Sequence, residues 1–352
     1  IPVVDEGAKL ESESFFPILP LHVINGVKGI ATGYSCTHHP HNPLDIAFWL
    51  QCRIMQALEP EKKYPLPQIK PWVKGWTGQV ELKKNGFITA GRYEINTKKE
   101  IVITELPMYC CTLTYEHFIN SLEEAGYITS VAHNSVKDTV KITLKGYTGE
   151  MDHAKIMKKL KLIRVHSYSN MTVVYRKANR KLQPVIYSEL TKLLEDFFLI
   201  RLGKYAERKQ YQLTAIQQEI SDLTLRAKFI HLVNEGQIVI LKRPKAEIHE
   251  KMTGFGLPLD LHNAVKASEF SVDRVNELIA EIGEKQKEYQ TVVNMRPEAM
   301  WYNDLEEFIV KYCSHEKVSR SSYETMGLAQ VITEEIEMKD LEEQQKEDEL
   351  EM

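Results

Sequence analysis

The chain has 352 residues, of which 43% are hydrophobic and 27% charged, and its formal net charge is −4 at pH 7. This length exceeds one ordinary hydrophobic core, so we expect two or three domains of a globular protein. No run of about 18 apolar residues occurs, so we expect no membrane span. The first residues, Ile-Pro-Val-Val-Asp-Glu, have neither a basic start nor an apolar core, so we expect no signal peptide.

The charge is distributed unevenly along the chain. Residues 331–352 contain ten acidic residues and two lysines, a net charge of −8, which leaves +4 for the remainder. A basic body with an acidic tail is compatible with DNA binding. The five cysteines are scattered without a C-x-x-C pair, and we interpret them as reduced, buried thiols.

The first predicted element is a buried strand at residues 16–24, where prolines alternate with apolar residues. It leads into a glycine-rich stretch at residues 25–35, with the sequence Asn-Gly-Val-Lys-Gly-Ile-Ala-Thr-Gly-Tyr-Ser. Glycine allows the backbone to approach a ligand closely, and Lys28 indicates that this ligand is a phosphate. The stretch matches neither the P-loop nor the dinucleotide-binding fingerprint. We therefore interpret Ile30 as an exposed wedge on a rigid loop, which enters a base step and kinks a duplex.

Three histidines follow the glycine-rich stretch: His38, His39 and His41. A metal site is one interpretation of such a group, but Pro40 restricts its geometry and no acidic or cysteine partner is near. We favour a solvated cluster facing phosphate. A helix is then expected at residues 46–58 behind an Asn-Pro start, and the proline-rich residues 60–71 indicate an irregular segment.

Residues 72–107 predict a β-rich segment with strands at 78–82, 87–90, 92–95 and 100–104. Asn85 and Gly86 form the hairpin signal between the first two strands. Beyond this segment the pattern predicts a helix at 114–124, a strand at 139–144, a basic helix at 151–162 and short strands at 171–175 and 182–185.

Nine basic residues lie between positions 153 and 181 with no acidic residue among them. Such a run is either a solvated surface or a track for DNA phosphates, whose binding releases counterions and is sensitive to salt. The run consists of Lys155, Lys158, Lys159, Lys161, Arg164, Arg176, Lys177, Arg180 and Lys181.

From residue 188 the apolar residues recur in steps of three and four, which is typical of a coiled-coil helix. The first run predicts one helix from 188 to 234, with a seam of Leu213, Ile216, Ile220, Leu223, Ala227 and Ile230. The second run ends at Pro297 and has a seam of Val275, Ile279, Ile282, Gln286, Tyr289 and Val293. We interpret the two runs as an antiparallel coiled-coil arm; the alternative is an ordinary helical bundle.

Residues 236–270, between the two runs, predict a small globular tip. Apolar tips of this kind tend to pair with a second copy, so we take as a candidate dimer gate the residues Ile238, Ile240, Phe255 and Leu257. After residue 313 the patterning weakens, and we expect residues 314–352 to be an acidic, largely disordered tail.

Three motifs, in this order along the chain, resemble those of type IIA DNA topoisomerases. The first is P-x-x-P at 17–20 followed by N-G-x-x-G-I-x-T-G-[WY] at 25–34; the others are Lys-Gly-Trp-Thr-Gly at 74–78 and Ile-Thr-Glu-Leu-Pro at 103–107. The resemblance covers about residues 13–300. Residues 153–157 and 193–201 most resemble the breakage-rejoining (medium) subunit of T-even-type bacteriophages. Ala31 agrees with this, because cellular relatives commonly have glycine there.

The resemblance implies an α+β fold in four parts. These are the end of the cleavage core with the DNA-wedge loop at 1–45, a β-rich tower at 46–187, the coiled-coil arm with its exit-gate tip at 188–313, and the tail at 314–352. The resemblance also implies that Ile30 intercalates and Lys28 contacts the DNA backbone. The candidate DNA-binding residues are Asn25, Lys28, Gly29, Ile30, Thr32, Lys155, Lys158 and Lys159.

The family passes one duplex through a transient double-strand break in another, using a tyrosine nucleophile, Mg²⁺ and ATP. That tyrosine lies on a winged-helix domain upstream of the glycine-rich stretch, and Tyr34 is not its equivalent. We therefore expect no catalytic residue, metal site or cofactor in this chain, with Mg²⁺ and ATP bound by other domains or subunits. The expected partners are double-stranded DNA, a second copy of the chain, and a further polypeptide that binds the metal and hydrolyses ATP. The expected location is the cytoplasm of a phage-infected host or its nucleoid.

Two other interpretations stay open. The chain is either a non-enzymatic architectural DNA-binding protein dimerised by its coiled coil, or an enzyme that binds a nucleotide phosphate on the glycine-rich stretch. Because the sequence does not begin with methionine, we expect a piece of a longer protein or a processed product.

Overall fold

A computed structural model of the chain describes residues 3–5, 8–10, 15–136, 139–176, 182–266 and 269–318. The chain divides into two compact units. The first comprises Ile1–Leu199 and Leu305–Met352, and the second comprises Ile200–Asp304. Strands and helices are mixed in the first unit and the second is helical, so the expected mixture of helix and sheet is confirmed.

All paired strands among the described residues are antiparallel. In chain order the strands are β1 (Val3–Asp5), β2 (Ala8–Leu10), β3 (Val27–Ala31), β4 (Tyr34–His38), β5 (Gln79–Lys83), β6 (Gly86–Ala90), β7 (Arg92–Ile95), β8 (Ile101–Glu105), β9 (Ser130–His133), β10 (Ile142–Lys145), β11 (Ile163–Ser167), β12 (Met171–Arg176) and β13 (Leu182–Tyr187). They form three pairs (β1–β2, β3–β4, β12–β13), a three-stranded sheet in the order β11-β6-β5, and a four-stranded sheet in the order β7-β8-β10-β9.

The three longest helices lie in the C-terminal half of the described residues. They are α1 (Leu21–Asn25), α2 (Pro43–Leu58), α3 (Thr112–Glu124), α4 (His153–Lys159), α5 (Leu190–Asn234), α6 (Lys245–Gly254), α7 (Leu261–Ala264), α8 (Val272–Asn294) and α9 (Pro297–Glu316). Among the described residues, none of these helices has the length and apolar character needed to cross a membrane.

Helix α2 begins where the sequence predicts. The Asn42 side chain accepts a hydrogen bond from the Leu44 N–H at 2.9 Å, and Pro43 occupies the first turn, where its missing N–H costs nothing. The helix buries Trp49 and Leu50 completely. Arg53 on the same helix is 2.9 Å from the Glu195 carboxylate, which links α2 to the start of α5.

The segment predicted as a buried strand at residues 16–24 contains helix α1 instead. The Pro20 carbonyl accepts hydrogen bonds from the N–H groups of Val23 (2.9 Å) and Ile24 (3.2 Å), which closes one helical turn. Gly26 ends the turn with φ +69°. The prediction was wrong because a helix of five residues is too short to show a helical period.

The core of the first unit lies between the four-stranded sheet and two helices. Ile101 and Ile142 from the sheet pack with Ile119 of α3 and Ile156 of α4, and all four side chains have no exposed surface. Burying an aliphatic side chain of this size contributes about 1.5–3 kcal/mol to stability. Sheet and helices therefore fix the position of the exposed faces of α3 and α4.

The basic helix predicted at 151–162 is shorter than expected. Helix α4 ends at Lys159, and Lys161 has φ +50°, which helical backbone does not allow. Leu162 is buried, and its carbonyl accepts a hydrogen bond from the Gly91 N–H at 2.9 Å. The chain then continues as β11, a strand that the basic sequence did not predict, as it also did not predict β9.

The Asn-Gly hairpin between β5 and β6 is confirmed, but Gly86 is needed for a different reason. Its φ does not lie in the left-handed region. A Cβ on Gly86 would instead lie 2.0 Å from the carbonyl oxygen of His166 on β11. The glycine therefore permits the close pairing of β6 with β11.

Helices α5 and α8 run antiparallel in the second unit. Lys285 Nζ on α8 lies 2.8 Å from the Glu219 carboxylate on α5, and Lys209 Nζ on α5 donates to the Val293 carbonyl at 2.9 Å. The residue numbers therefore fall along one helix as they rise along the other. The long helix and its antiparallel neighbour agree with the sequence, and coiled-coil packing of the two stays a prediction.

Three of the six predicted seam positions of α8 are exposed, whereas Val275 and Ile282 pack against the apolar core of the unit. Leu278 is fully buried, whereas Ile279 is 58% exposed and Val293 is 39% exposed. Gln286 is also exposed. Leu278 packs with Ile230 of α5 in one apolar cluster. The prediction chose Ile279 instead of Leu278 because the two adjacent residues are similarly hydrophobic.

Helix α9 extends beyond the point where we expected the chain to lose its structure. Trp301 in α9 is fully buried and stacks on Tyr205 of α5, with ring centroids 5.6 Å apart. Residues 314–316 belong to this helix, so the prediction of disorder was wrong for these three residues. Residues 319–352, which include the acidic segment, lie outside the described residues.

The interpretation of every cysteine as buried was wrong. Cys52 is buried, but Cys111 is exposed at the start of α3.

We expect Gly86→Ala to lower the free energy of unfolding by about 1–3 kcal/mol, because the new methyl group meets backbone that cannot rotate away. Urea denaturation followed by circular dichroism measures this change. Gly283→Ala in α8 is the matched control, since no atom lies within 4 Å of its Cβ position. The control is expected to stabilise slightly, because alanine is favoured over glycine in a helix. Equal midpoints for Gly86→Ala and the unsubstituted chain would contradict the packing argument.

Candidate nucleic-acid interface

The glycine-rich stretch forms an exposed hairpin. β3 pairs with β4 so that Ile30 lies opposite Ser35 and Ala31 opposite Tyr34. Gly33 completes the two-residue turn with φ +80°. The predicted loop is thus a strand pair, which holds Ile30 more rigidly than a loop because its neighbours are in ladder hydrogen bonds.

Ile30 is exposed to 83% of its surface, and all five residues of β3 are exposed. Lys28 is two residues earlier on the same strand, so both side chains point to the same face of the hairpin. A large aliphatic side chain and a cation therefore lie together on one surface. This is the arrangement that a wedge between base pairs requires.

The other predicted residues of this surface are also exposed. Asn25 is the last residue of α1, and Thr32 lies in the turn. Gly29 is in open space, with no atom within 4 Å of its Cβ position. The structure therefore brings Lys28, Gly29, Ile30 and Thr32 together on one hairpin, with Asn25 at the end of the helix that precedes it.

The hairpin is fixed to β12 through β4. The Thr37 N–H donates to the Asn170 carbonyl at 2.9 Å, and His38 Nε2 donates to the Thr172 carbonyl at 3.0 Å. The Asn170 amide donates to Ser35 Oγ at 2.9 Å. These bonds hold the base of the hairpin while its outer strand stays free to meet a ligand.

An open apolar groove with a cavity volume of about 620 Å³ lies between the hairpin and the β12–β13 pair. Val174 on β12 is 56% exposed and Tyr34 is 67% exposed. The sequence did not predict that Val174 and Pro184 line a site, because their distance from residue 30 along the chain gives no signal. The groove is lined by Gly29, Ile30, Ala31, Tyr34, Ser35, Cys36, Thr172, Val174 and Pro184.

The three histidines behind the hairpin are buried, so the prediction of a solvated, phosphate-facing cluster was wrong. His38, His39 and His41 are 6%, 7% and 1% exposed. His39 contacts the Tyr109 hydroxyl at 3.2 Å. The described residues contain no group of three or more His, Cys, Asp or Glu side chains that could hold a metal ion.

Burial lowers the pKa of His39, which favours its neutral imidazole. It lowers the pKa of His41 to about 4, although the ring also hydrogen-bonds the Val23 carbonyl. Burial also lowers the pKa of His22 to about 4, with a smaller contribution from the neighbouring His38. His166, which faces His39, has its pKa lowered to about 4, first by burial. The support beneath the hairpin therefore depends on uncharged histidines.

The lysines of α4 form a second basic surface. Lys155 and Lys158 are exposed, and Lys159 Nζ lies 3.3 Å from the centroid of the Tyr127 ring. Lys155 is paired with Glu150, which neutralises part of its charge. This surface belongs to the first unit, as does the hairpin. Of the basic run that includes these lysines, residues 177–181 lie outside the described residues.

The candidate gate residues are distributed differently from the prediction. Ile238 and Leu257 are 1% and 4% exposed, and they pack in the core of their own unit. Ile240 and Phe255 are half-buried against the same core. The surface of the tip instead carries three exposed apolar side chains, which are Val239 (41%), Leu241 (84%) and Leu259 (42%).

The two later sequence motifs lie against each other. Trp76 Nε1 donates to the Leu106 carbonyl at 2.7 Å, and both the N–H and the hydroxyl of Thr77 donate to the Glu105 carboxylate at 3.0 and 3.1 Å. A Cβ on Gly78 would lie 2.2 Å from the Trp76 ring. The spacing of both motifs is therefore explained by packing within the first unit.

Comparison with known proteins gives one consistent family. The family profile for the A-type subunit of DNA gyrase/topoisomerase IV matches residues 3–340. "DNA topoisomerase 2" of Penicillium chrysogenum is 29% identical over 87% of this chain, and "DNA topoisomerase 2" of Plasmodium falciparum is 26% identical over 86%. The chain spans only 21% and 24% of the lengths of these two relatives.

A solved structure is similar over nearly the whole chain. The "Plasmodium falciparum topoisomerase II DNA-binding, cleavage and re-ligation domain" superimposes with a TM-score of 0.71 and 25% identity. The match covers 91% of this chain and 48% of that structure. The resemblance to T-even-type phage subunits is a finer assignment, which stays a prediction.

We expect the free energy of unfolding to fall as the pH drops from about 6.5 to about 4. The unfolded chain takes up protons on histidine near pH 6.5, whereas His22, His41 and His166 take them up near pH 4 when folded. Thermal unfolding at pH 7.5, 6.5 and 5.5, values chosen to lie above the titration of most carboxylates (about pH 4), measures the slope. His22→Gln is expected to reduce the slope of the melting temperature against pH. A melting temperature that does not change over this range would contradict the expected loss of stability.

Proposed function

Because the chain belongs to the DNA gyrase/topoisomerase IV family, we propose that it is part of an ATP-dependent type II DNA topoisomerase. The complete enzyme would pass one duplex through a transient double-strand break in another. This chain would bend the duplex that is cut and contribute to the dimeric exit gate. The observation that supports this proposal best is the exposure of Ile30 on an anchored strand pair.

The wedge acts through the energy of bending. Bending a site of 20–30 base pairs costs on the order of 1–6 kcal/mol. Placing an isoleucine side chain between unstacked bases removes it from water, which is worth about 1.5–3 kcal/mol. Ile30 would thus offset a large part of the cost, and it would do so only for a kinked duplex. Such recognition favours bent or crossing DNA over a particular base sequence.

Basic side chains would supply the sequence-independent part of binding. Lys28 on the hairpin and Lys155, Lys158 and Lys159 on α4 would contact phosphates on the gate duplex. Each contact releases counterions, so affinity would fall steeply as salt rises.

The chemistry of strand cleavage would come from other parts of the enzyme. We propose that the nucleophilic tyrosine lies on a winged-helix domain outside these residues, and that this chain alone is inactive. Mg²⁺ and ATP would bind other domains or subunits. Among the described residues, no group of three or more His, Cys, Asp or Glu side chains that could hold a metal ion is found, and we assign no metal-dependent step to them.

The second unit would form the exit gate. Its antiparallel helices α5 and α8 would be the arm, and the exposed Val239, Leu241 and Leu259 would pair with a second copy. A T-even-type phage origin, with action in the host cytoplasm or nucleoid, is the finer form of the proposal. It rests on the sequence motifs and on Ala31.

A second candidate function is a non-enzymatic architectural protein that bends DNA and dimerises. The same exposed Ile30 and the same apolar tip favour it. The coding sequence upstream of Ile1 distinguishes the two functions. An Arg-Tyr pair within a winged helix there supports the topoisomerase, and its absence supports the architectural protein.

We expect Ile30→Ala to reduce the ratio of bent to straight bound DNA about 5- to 30-fold, because the substitution removes about 1–2 kcal/mol of apolar contact. Energy transfer between dyes at the two ends of a short duplex measures bending, and anisotropy at fixed salt measures affinity. The matched control is Ile279→Ala, since Ile279 is also exposed, at 58%, and lies in the second unit. Unchanged bending by Ile30→Ala would remove the wedge from the proposal.

We expect the chain to dimerise at micromolar concentration and Leu241→Asp to shift it to monomer, since the new charge would be buried in an apolar contact. Sedimentation velocity measures the distribution. Leu113→Asp, at another exposed leucine, in the first unit, is the control. A monomeric unsubstituted chain at this concentration would count against the gate.

A further inference from the structure

Helices α3 and α4 enclose a groove that combines an apolar floor with a basic rim. The groove has a cavity volume of about 440 Å³. The floor consists of Phe118, which is half-buried, and Leu122, which is buried. The rim consists of Lys155, Lys158, Lys159 and Lys161.

The positive charge of this rim is largely uncompensated. Only Lys155 has a carboxylate partner among the described residues, namely Glu150. Lys161 Nζ lies 4.0 Å from the centroid of the Phe118 ring and Lys159 Nζ 3.3 Å from that of Tyr127, so aromatic faces stabilise both cations in place. The groove therefore suits an anionic ligand that also has apolar groups.

One segment of this chain has that composition. Residues 331–352 have a net charge of −8, and apolar side chains lie among the acids at Ile336, Met338 and Leu341. A DNA backbone offers phosphates without comparable apolar groups to cover Phe118. The floor of the groove thus favours an acidic, partly apolar peptide.

The segment also starts within reach of the groove. Helix α9 ends at Glu316, which forms a 2.6 Å ion pair with Lys74. A series of contacts connects Lys74 to α4. Lys74 is two residues before Trp76, whose indole donates to the Leu106 carbonyl, and Leu106 packs in the same core as Ile156 of α4. Residues 319–333 span up to about 50 Å when extended, which exceeds the diameter of about 30 Å of a small domain. Tethering gives an effective concentration of about millimolar.

We propose that residues 331–352 of this chain bind the groove between α3 and α4 of the same chain and exclude DNA from it. The lysines then have two competing anionic ligands, and the tail weakens DNA binding on this surface. The second part rests on the proposed function, since it requires that DNA uses these lysines.

Peptide binding tests the contact itself. A labelled synthetic peptide of residues 331–352 is titrated by anisotropy into the chain ended at residue 330. We expect binding that the double substitution Lys158→Glu with Lys161→Glu weakens at least about tenfold, the equivalent of 1.4 kcal/mol. Lys98→Glu with Lys99→Glu, at two exposed lysines in the β7–β8 turn, is the matched control. Equal affinity for the two double variants would overturn the proposal.

Zero-length cross-linking in the full chain tests whether the contact is intramolecular. We expect carbodiimide links between tail glutamates and the groove lysines, found within one chain when light and heavy isotope-labelled copies are mixed. Links only between copies, or none, would overturn the proposal.

DNA affinity at low salt then tests the competition. We expect removal of residues 331–352 to raise the affinity about tenfold, and to have no effect once Lys158 and Lys161 are glutamate. Equal affinity with and without the tail would overturn the exclusion of DNA. If no form binds DNA, the proposed function fails, and the peptide titration still decides where the tail binds.

Discussion

The hydrogen bonds between β4 and the β12 segment are the contact on which the exposed hairpin depends. A two-stranded hairpin alone is at best marginally stable in water. Here the bonds from Thr37 to Asn170 and from His38 to Thr172 fix its inner strand to the body of the first unit. Ile30 is then held outward by strand geometry, with most of its side chain exposed. An apolar side chain that stays in water until a ligand covers it can be positioned only by its backbone.

The segments beneath the hairpin are closely packed, and they contain buried histidines that are stable there only when uncharged. Gly26 turns the chain from α1 into β3 at a point where a Cβ would lie 3.0 Å from both the His38 carbonyl oxygen and the Pro40 ring. His22 Nε2 and His41 Nε2 are buried with no hydrogen-bond partner among the described residues. Protonation of either ring would bury an unpaired cation. The orientation of the hairpin is therefore connected to the protonation of the histidines behind it.

Much of this architecture could be predicted from the sequence, and the failures have physical causes. The Asn-Pro start identified α2, and the long run of apolar residues in steps of three and four identified α5. Helix α1 was missed because one turn has no period. The histidines were predicted to be solvated because polar residues usually are, but here contacts with carbonyls and rings from distant segments bury them. The assignment of gate residues failed at Ile238 and Leu257 because sequence alone does not distinguish apolar residues of a core from those of a surface.

One consequence concerns the outer edge of the hairpin. Among the described residues β3 pairs only with β4, so its far side presents unsatisfied backbone donors and acceptors to any other extended chain. Edges of this kind invite strand addition and aggregation, and a lysine placed on them opposes it. Lys28 is the only charged residue of β3. When two copies meet edge to edge, the ammonium groups of their Lys28 side chains would repel each other. This lysine therefore also opposes pairing of β3 with the same strand of a second copy.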